Sequence, residues 1–211
     1  MGGRLPKQYL AVGGAPLVVR TVRALGRSVE GVIVVAPADR VTATRRLLAR
    51  HRVPRILAVV AGGAERQDSV WSGLSALPGT ARWVIVHDAV RPFVTRDLVA
   101  KVLAAAVAHG AATCGIPVRD TVKRVKDALV HATLDREGLW LTQTPQAFRR
   151  ELLWEAHDKA RRDGHVGTDD ASLVERLGAK VAMVPGLSQN LKITTPEDLR
   201  AARRLVGGVR A

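Results

Sequence analysis

Five basic side chains of this 211-residue sequence fall in four short loops of related composition. GGRLPK at 2–7 supplies Arg4 and Lys7, and AGGAERQDS at 61–69 supplies Arg66. HDAVRP at 87–92 supplies Arg91, and NLKIT at 190–194 supplies Lys192. Glycine pairs in the first two leave backbone amides open to an anion, and Arg and Lys are the residue types that grip phosphate oxygens. Together the loops form a kit for phosphate, and for more than one phosphate. Each loop alone is a weak signal. Glycine pairs between elements are commonly plain turns, and Asp88 could simply cap its own loop. Thr168-Asp169-Asp170 reads as an N-cap with an acidic first turn, closed by Gly178, and Thr195-Pro196-Glu197-Asp198 as another helix start. His51, His109, His131, His157 and His165 stand alone without ligand spacing and read as surface or internally satisfied residues. The sequence carries no evident Ser-His-Asp or Cys-His arrangement, complete Rossmann glycine fingerprint or Walker loop.

The elements that must position these loops follow from periodicity. PLVVRTVRAL (16–25) has helical spacing, and GVIVVA (31–36) is a β-branched run of the kind buried on both faces of a sheet. A basic helix over 39–51, a strand at 56–60 and a helix from the second glycine pair to about Leu77 follow. The spacing then predicts a strand at 82–86, a helix over 95–109 and a strand at 111–117. Strand and helix alternating with such short connections argue a parallel sheet layered by helices, with ligands at the carboxyl ends of the strands. From residue 118 the pattern changes to polar–apolar alternation around a turn at Lys126-Asp127, an antiparallel arm over about 118–142. Helices at 149–162 and 169–177, a short strand at 180–184 and a helix from Pro196 complete one domain spanning 1–211, with the arm standing off it.

Composition sets further bounds. The chain is 47% hydrophobic and only 3% aromatic, so Val, Leu, Ile and Ala must build the core. The longest apolar stretch, LVAKVLAAAVAHGAATCGI, is broken by Lys101 and His109 and reads as a helix running into a strand, not a membrane span. The start of the chain does not resemble a signal peptide. The lone Cys114 permits no intrachain disulfide and no thiolate metal cluster, and the cytoplasm is the expected setting. The formal charge of +14 raises a nucleic-acid reading. The seven aromatic residues do not alternate with basic runs as base-stacking binders require, so solvated helix faces plus one anionic pocket are the better account.

The strings PKQYL, GG-x-ER-x-x-SV, VIVHDAVRP, DTVKRV, TLDREGLW, QTPQAF, TDDASL and NLKITTPEDL occur in this order. In these the sequence resembles the 2-C-methyl-D-erythritol 4-phosphate cytidylyltransferases of the non-mevalonate isoprenoid pathway, from residue 1 to about 205. The resemblance implies an α/β fold with a single Rossmann-like, mostly parallel sheet. It also implies transfer of a cytidylyl group from CTP, with Mg²⁺ bound mainly through the CTP phosphates and pyrophosphate released. By similarity, Lys7 stabilises the transition state on the CTP phosphates, while Arg136 and Lys192 position the attacking phosphate. Asp88, Arg91, Thr121 and Thr144 would hold the polyol. Gly62, Gly63, Ala64 and Ser69 would read the cytosine, Ala64 standing where some relatives carry Asp. The arm would cross to a second subunit, so that Arg136 and Thr121 complete the partner's site in a homodimer. Ribitol-5-phosphate cytidylyltransferases share most of these loops, and a non-catalytic dimeric relative is a further alternative.

Against the family pattern, Met1-Gly2 aligns with the end of a glycine-rich loop. The resemblance therefore places the family's first strand, most of its CTP loop and an Arg upstream of Met1, and a misassigned start is expected over a natural truncation. Removing one such charge-stabilising donor costs on the order of a hundredfold in rate.

Overall fold

The computed structural model describes residues 6–207, so Gly2, Gly3 and Arg4 of the first loop lie outside the described residues. A single 3₁₀ turn, Lys7–Tyr9, leads into a small hairpin of β1 (Ala11–Val12) and β2 (Ala15–Pro16). Its two-residue turn is Gly13-Gly14 with φ of +54° and +77°, the conformation a tight hairpin turn demands and glycine alone adopts cheaply. α1 (Leu17–Gly26) then buries Leu17, Val18, Val19, Val22 and Leu25 on one face. β3 (Val32–Ala36), α2 (Val41–Arg50) and β4 (Ile56–Ala61) form a parallel unit in which β3 pairs with β4. Ala15, Val18, Val22, Val34, Leu48 and Val59 make its core.

α3 (Arg66–Ser75), β5 (Trp83–Val86), α4 (Arg96–His109) and β6 (Ala111–Pro117) follow as the spacing predicts. α4 starts where the Thr95 hydroxyl accepts from the Leu98 amide at 3.2 Å, and ends at Gly110 with φ +89°. The arm is a hairpin of β7 (Val122–Lys126) and β8 (Leu129–Leu134). Asp127 and Ala128 turn it at φ +51° and +62°, one residue beyond the expected site.

One long strand was not expected. β9 (Trp140–Arg149) returns from the arm between β5 and β6 and pairs antiparallel with both. Its central residues, QTPQAF, lack the apolar run that marks a buried strand, yet Gln143 through Phe148 are all buried. Side chains compensate for the polarity. Gln146 donates to Thr113 Oγ1 at 2.9 Å and to Asp169 Oδ2 at 2.6 Å, and accepts from the Ala171 amide at 3.3 Å. Pro145, which has no N–H to give, lies where the β6 register breaks between Ala112 and Cys114.

α5 (Arg150–Arg162), α6 (Asp170–Arg176), β10 (Ala182–Pro185) and α7 (Pro196–Gly207) complete the chain. The larger sheet has the order β10-β6-β9-β5, in which β9 alone runs against the others. Strand alternation divides its two faces. Ala111 and Phe148 pack with Leu153, Ala156 and Leu173 on one side, while Ala112 and Ala147 pack with Leu98, Val102 and Ala106 on the other. Phe148 is fully buried, and its truncation to Ala would cost about 3–5 kcal/mol.

The α/β architecture and its mostly parallel strand direction follow the expected pattern. The expected single sheet is divided, however. Among the described residues no backbone ladder joins the β3–β4 pair to β5, and the carboxyl ends of β3 and β5 border a cleft instead.

Candidate active site

The cleft has a volume of about 230 Å³, and its lining includes Lys7, Ala36, Thr44, Asp88 and Lys192. The first 3₁₀ turn brings Lys7 there, held by a Tyr9 hydroxyl bond to Thr44 Oγ1 at 2.7 Å. Asp88 comes from the end of β5, and Lys192 from the loop before α7. The two later loops are stitched together, with the Ile193 amide donating to the Val90 carbonyl at 3.0 Å. Asp198 anchors the far end of this loop by accepting the Thr194 and Thr195 amides, each at 2.8 Å. Those amide bonds hold its carboxyl well down, to about pKa 2.

Asp88 is the electrostatic centre. Lys192 Nζ lies 3.1 Å and Arg91 Nε 3.4 Å from its Oδ2, and Arg66 Nε lies 3.7 Å from Oδ1. Burial acting alone would raise its pKa. The charges of Lys192, Arg66 and Arg91 outweigh burial and keep the carboxyl below its ordinary value.

A chain of neutral hydrogen bonds fixes Asp88 from behind. Its amide donates to Thr144 Oγ1 at 3.0 Å, and that hydroxyl lies 3.0 Å from His87 Nδ1. His87 Nε2 donates to the Arg91 carbonyl at 3.1 Å, which assigns the ring proton to Nε2 and leaves Nδ1 to accept from Thr144. Burial lowers the His87 pKa to about 4, so the ring is neutral at pH 7. Arg91, itself buried, donates to the Asn190 carbonyl at 2.8 Å, and Asn190 donates to the Thr144 carbonyl at 2.8 Å.

The structure thus brings Lys7, Asp88 and Lys192 to one cleft and sets Arg91 and Thr144 in the scaffold behind Asp88; neither of these two lines the cleft. Gly62 and Gly63 connect β4 to α3, with the Gly62 amide on the Ala36 carbonyl at 2.8 Å. A Cβ at Gly62 would stand 2.5 Å from Ser69 Oγ, and one at Gly63 2.3 Å from Asp68 Cβ, so side chains here would displace the start of α3. Glu65 and Asp68 cap that helix reciprocally, and Ser69 Oγ lies 3.3 Å from the Glu65 carbonyl. Ala64 is exposed on the same loop. Thr121 and Arg136 belong to the exposed arm, where Arg136 donates to the Arg119 carbonyl, and neither lines the cleft of its own chain.

His87 and Asn190 carried no role in the sequence, because each takes its place by reaching Thr144, 57 and 46 positions away. Asp170 stands in the first turn of α6 as expected, with Asp169 as the cap accepting the Ser172 amide at 2.9 Å, but it is also wholly buried against Arg66 and His157, which no neighbour in sequence signals.

Known proteins resemble this chain over nearly its whole length. The sequence pattern of the 2-C-methyl-D-erythritol 4-phosphate cytidylyltransferases matches residues 1–207. The curated enzyme of that name from Geobacter metallireducens is 46% identical over 212 residues, covering 98% of this chain and 91% of the relative. The crystal structure of the Thermus thermophilus enzyme of that name superposes with a TM-score of 0.82 at 41% identity, covering 96% of this chain and 94% of that one. The 4-diphosphocytidyl-2C-methyl-D-erythritol synthase of Anaerococcus prevotii superposes with a TM-score of 0.86 at 30% identity, over 95% and 93% of the two chains. On its loops, its fold and these matches, the chain belongs to the 2-C-methyl-D-erythritol 4-phosphate cytidylyltransferase family.

Proposed function

We propose that this chain joins CTP and 2-C-methyl-D-erythritol 4-phosphate to give 4-diphosphocytidyl-2-C-methyl-D-erythritol and pyrophosphate, a step of non-mevalonate isoprenoid biosynthesis. The observation that carries the reading is the cleft lined together by Lys7, Lys192 and an ionised Asp88, with Lys192 paired to that carboxylate. A phosphate oxygen of the polyol attacks the α-phosphorus of CTP, the new O–P bond forms, and the bond to pyrophosphate breaks. No protein nucleophile is required, so catalysis consists of positioning and of neutralising charge on the phosphoryl oxygens. Lys7 stabilises the CTP phosphates. Lys192, resting on Asp88 with its side chain 42% exposed, exchanges that carboxylate for the incoming phosphate. Gly62, Gly63, Ala64 and Ser69 form the cytosine-reading loop, while Arg91 and Thr144 serve the polyol side by fixing Asp88.

Mg²⁺ would enter on the triphosphate and offset its charge. Among the described residues Asp88 is the only carboxylate lining the cleft, and three cations already share it, so the protein side offers no acidic ligand set. A homodimer is the form we infer. The arm exposes Val125, Leu129 and Val130 at 57%, 74% and 63%, with Leu139, Trp140 and Leu141 at its base. An apolar arm of this kind needs a covering surface, and a partner's cleft would receive Arg136 and Thr121. The inferred setting is the cytoplasm, where the lone buried Cys114 stays reduced. Among the described residues no helix is long and apolar enough to cross a membrane.

The test is pyrophosphate release from CTP with 2-C-methyl-D-erythritol 4-phosphate or with ribitol 5-phosphate. We expect kcat/KM to favour the first acceptor by at least about a hundredfold, the scale set by polar groups left unpaired with the wrong polyol. Equal turnover of both would overturn the acceptor assignment, and turnover of neither by folded protein would overturn the reaction. Sedimentation of the same sample tests the dimer.

A further inference from the structure

We infer that Asp170 is a positioning residue for the reaction proposed above, and the inference rests on that reading. It holds the Arg66 guanidinium against Asp88, so that Asp88 stays ionised and in place when Lys192 leaves it for the incoming phosphate.

Asp170 is fully buried, and a carboxylate in that position is costly unless charged and hydrogen-bonded partners surround it. It has one charged partner and one ring nitrogen within hydrogen-bond distance. Arg66 Nη2 lies 2.7 Å from Oδ2, and His157 Nε2 lies 3.0 Å from Oδ1. His157 is itself buried beside the Trp71 ring, with centroids 6.4 Å apart and planes at 27°. Helix formation does not explain the arrangement, because Asp169 already caps α6 and is braced by Gln146.

Arg66 links this buried group to the cleft. It is the first residue of α3, directly beyond the Gly62–Glu65 loop, and its guanidinium spans from Asp170 to Asp88. Asp170 and Asp88 together outweigh the effect of burial and hold Arg66 in its charged form. The three cations on Asp88 are not equivalent. Lys192 and Arg91 approach Oδ2, whereas Arg66 approaches Oδ1. Lys192 and Arg66 are comparably exposed, but among the described residues Lys192 rests on Asp88 alone, whereas Arg66 is anchored to Asp170 and Arg91 to the Asn190 carbonyl. When Lys192 moves to phosphate, Arg66 remains the ion-pair partner of Oδ1. Without Asp170, Arg66 itself is free to turn toward the phosphate, and Asp88 loses its orientation.

The experiment compares wild-type protein with Asp170→Asn, Arg66→Gln and the double variant by steady-state kinetics. In parallel, side-chain ¹⁵N NMR follows the Arg66 Nε–H signal without substrate. Asp170→Asn should lower kcat/KM for the polyol phosphate by roughly tenfold to a hundredfold, the scale of a misplaced reacting group, while KM for CTP stays within about twofold. The double variant should be no worse than Arg66→Gln, because the two residues act as one unit. Unchanged kinetic constants in Asp170→Asn, or penalties that multiply in the double variant, would overturn the assignment. If Asp170→Asn fails to fold, the half-exposed Arg66→Gln carries the same kinetic test, and unchanged constants there also overturn it. If wild-type protein turns over neither substrate pair, the reaction reading falls separately and NMR decides. An ordered Arg66 Nε–H signal that Asp170→Asn abolishes supports the positioning role, and one that Asp170→Asn leaves intact refutes it.

Discussion

Replacing Lys192 with Ala separates catalysis from folding. The side chain is 42% exposed and its structural bond is one contact with Asp88 at 3.1 Å. Water reaches the lysine end of this pair, which holds its contribution to about 1 kcal/mol. Asp88 keeps Arg66 and Arg91 after the change, so the melting temperature should move by no more than roughly 2–4 °C. Turnover should respond far more strongly. A donor aimed at charge that develops in the transition state contributes about 3–4 kcal/mol, or roughly a hundredfold to a thousandfold in kcat. Breaking the Lys192–Asp88 pair as phosphate arrives subtracts less than that gain, because a dianion draws the ammonium more strongly than a carboxylate does. Pyrophosphate release at saturating substrates gives kcat, and calorimetric titration gives the CTP affinity. The expected outcome is a collapse of kcat with CTP affinity nearly unchanged. A kcat loss under about tenfold, or a parallel loss of CTP affinity, would refute the assignment of Lys192 to the attacking phosphate.

Other outcomes follow from the same network. Asp88→Asn leaves the buried Arg91 with only a carbonyl for a partner and should cost about 3 kcal/mol, seen as a fall of roughly 6–12 °C in thermal unfolding; an unchanged melting curve would mean that the carboxylate does not support the loop. Asp198, depressed to about pKa 2, contributes stability that is full above its unfolded value near 3.9 and is lost as pH falls through 2. Wild-type protein should therefore lose stability between about pH 4 and 2 more steeply than Asp198→Asn, and coincident acid titrations would contradict that. Burial pushes the Cys114 thiol up to about pKa 11, so iodoacetamide at pH 8 should label native protein negligibly and unfolded protein fully by mass spectrometry.

Most of the layered architecture was legible because its strands are apolar runs and its helices keep a regular buried face, as in β3, α1 and α5. β9 was not, because its burial depends on hydrogen bonds such as Gln146 to Asp169, which only the folded chain brings together. The same distinction runs through the site. Lys7, Asp88 and Lys192 could be picked out as charged residues in short loops of related composition. Arg91 and Thr144 were assigned to the polyol by resemblance, and the structure turns both inward, onto Asn190 and His87. Asp170 was read locally as a helix-start acid, since nothing near it in sequence announces a partner 104 residues away.

The bond from Arg91 to the Asn190 carbonyl also has a meaning in time. The two residues are 99 positions apart, so a ribosome adding about 5–20 residues per second emits the acceptor some 5–20 s after the arginine. Through that interval the nascent chain carries a cation destined for burial without the carbonyl that will receive it. Asp88 therefore reaches its final setting only after the loop that carries both Asn190 and Lys192 has emerged.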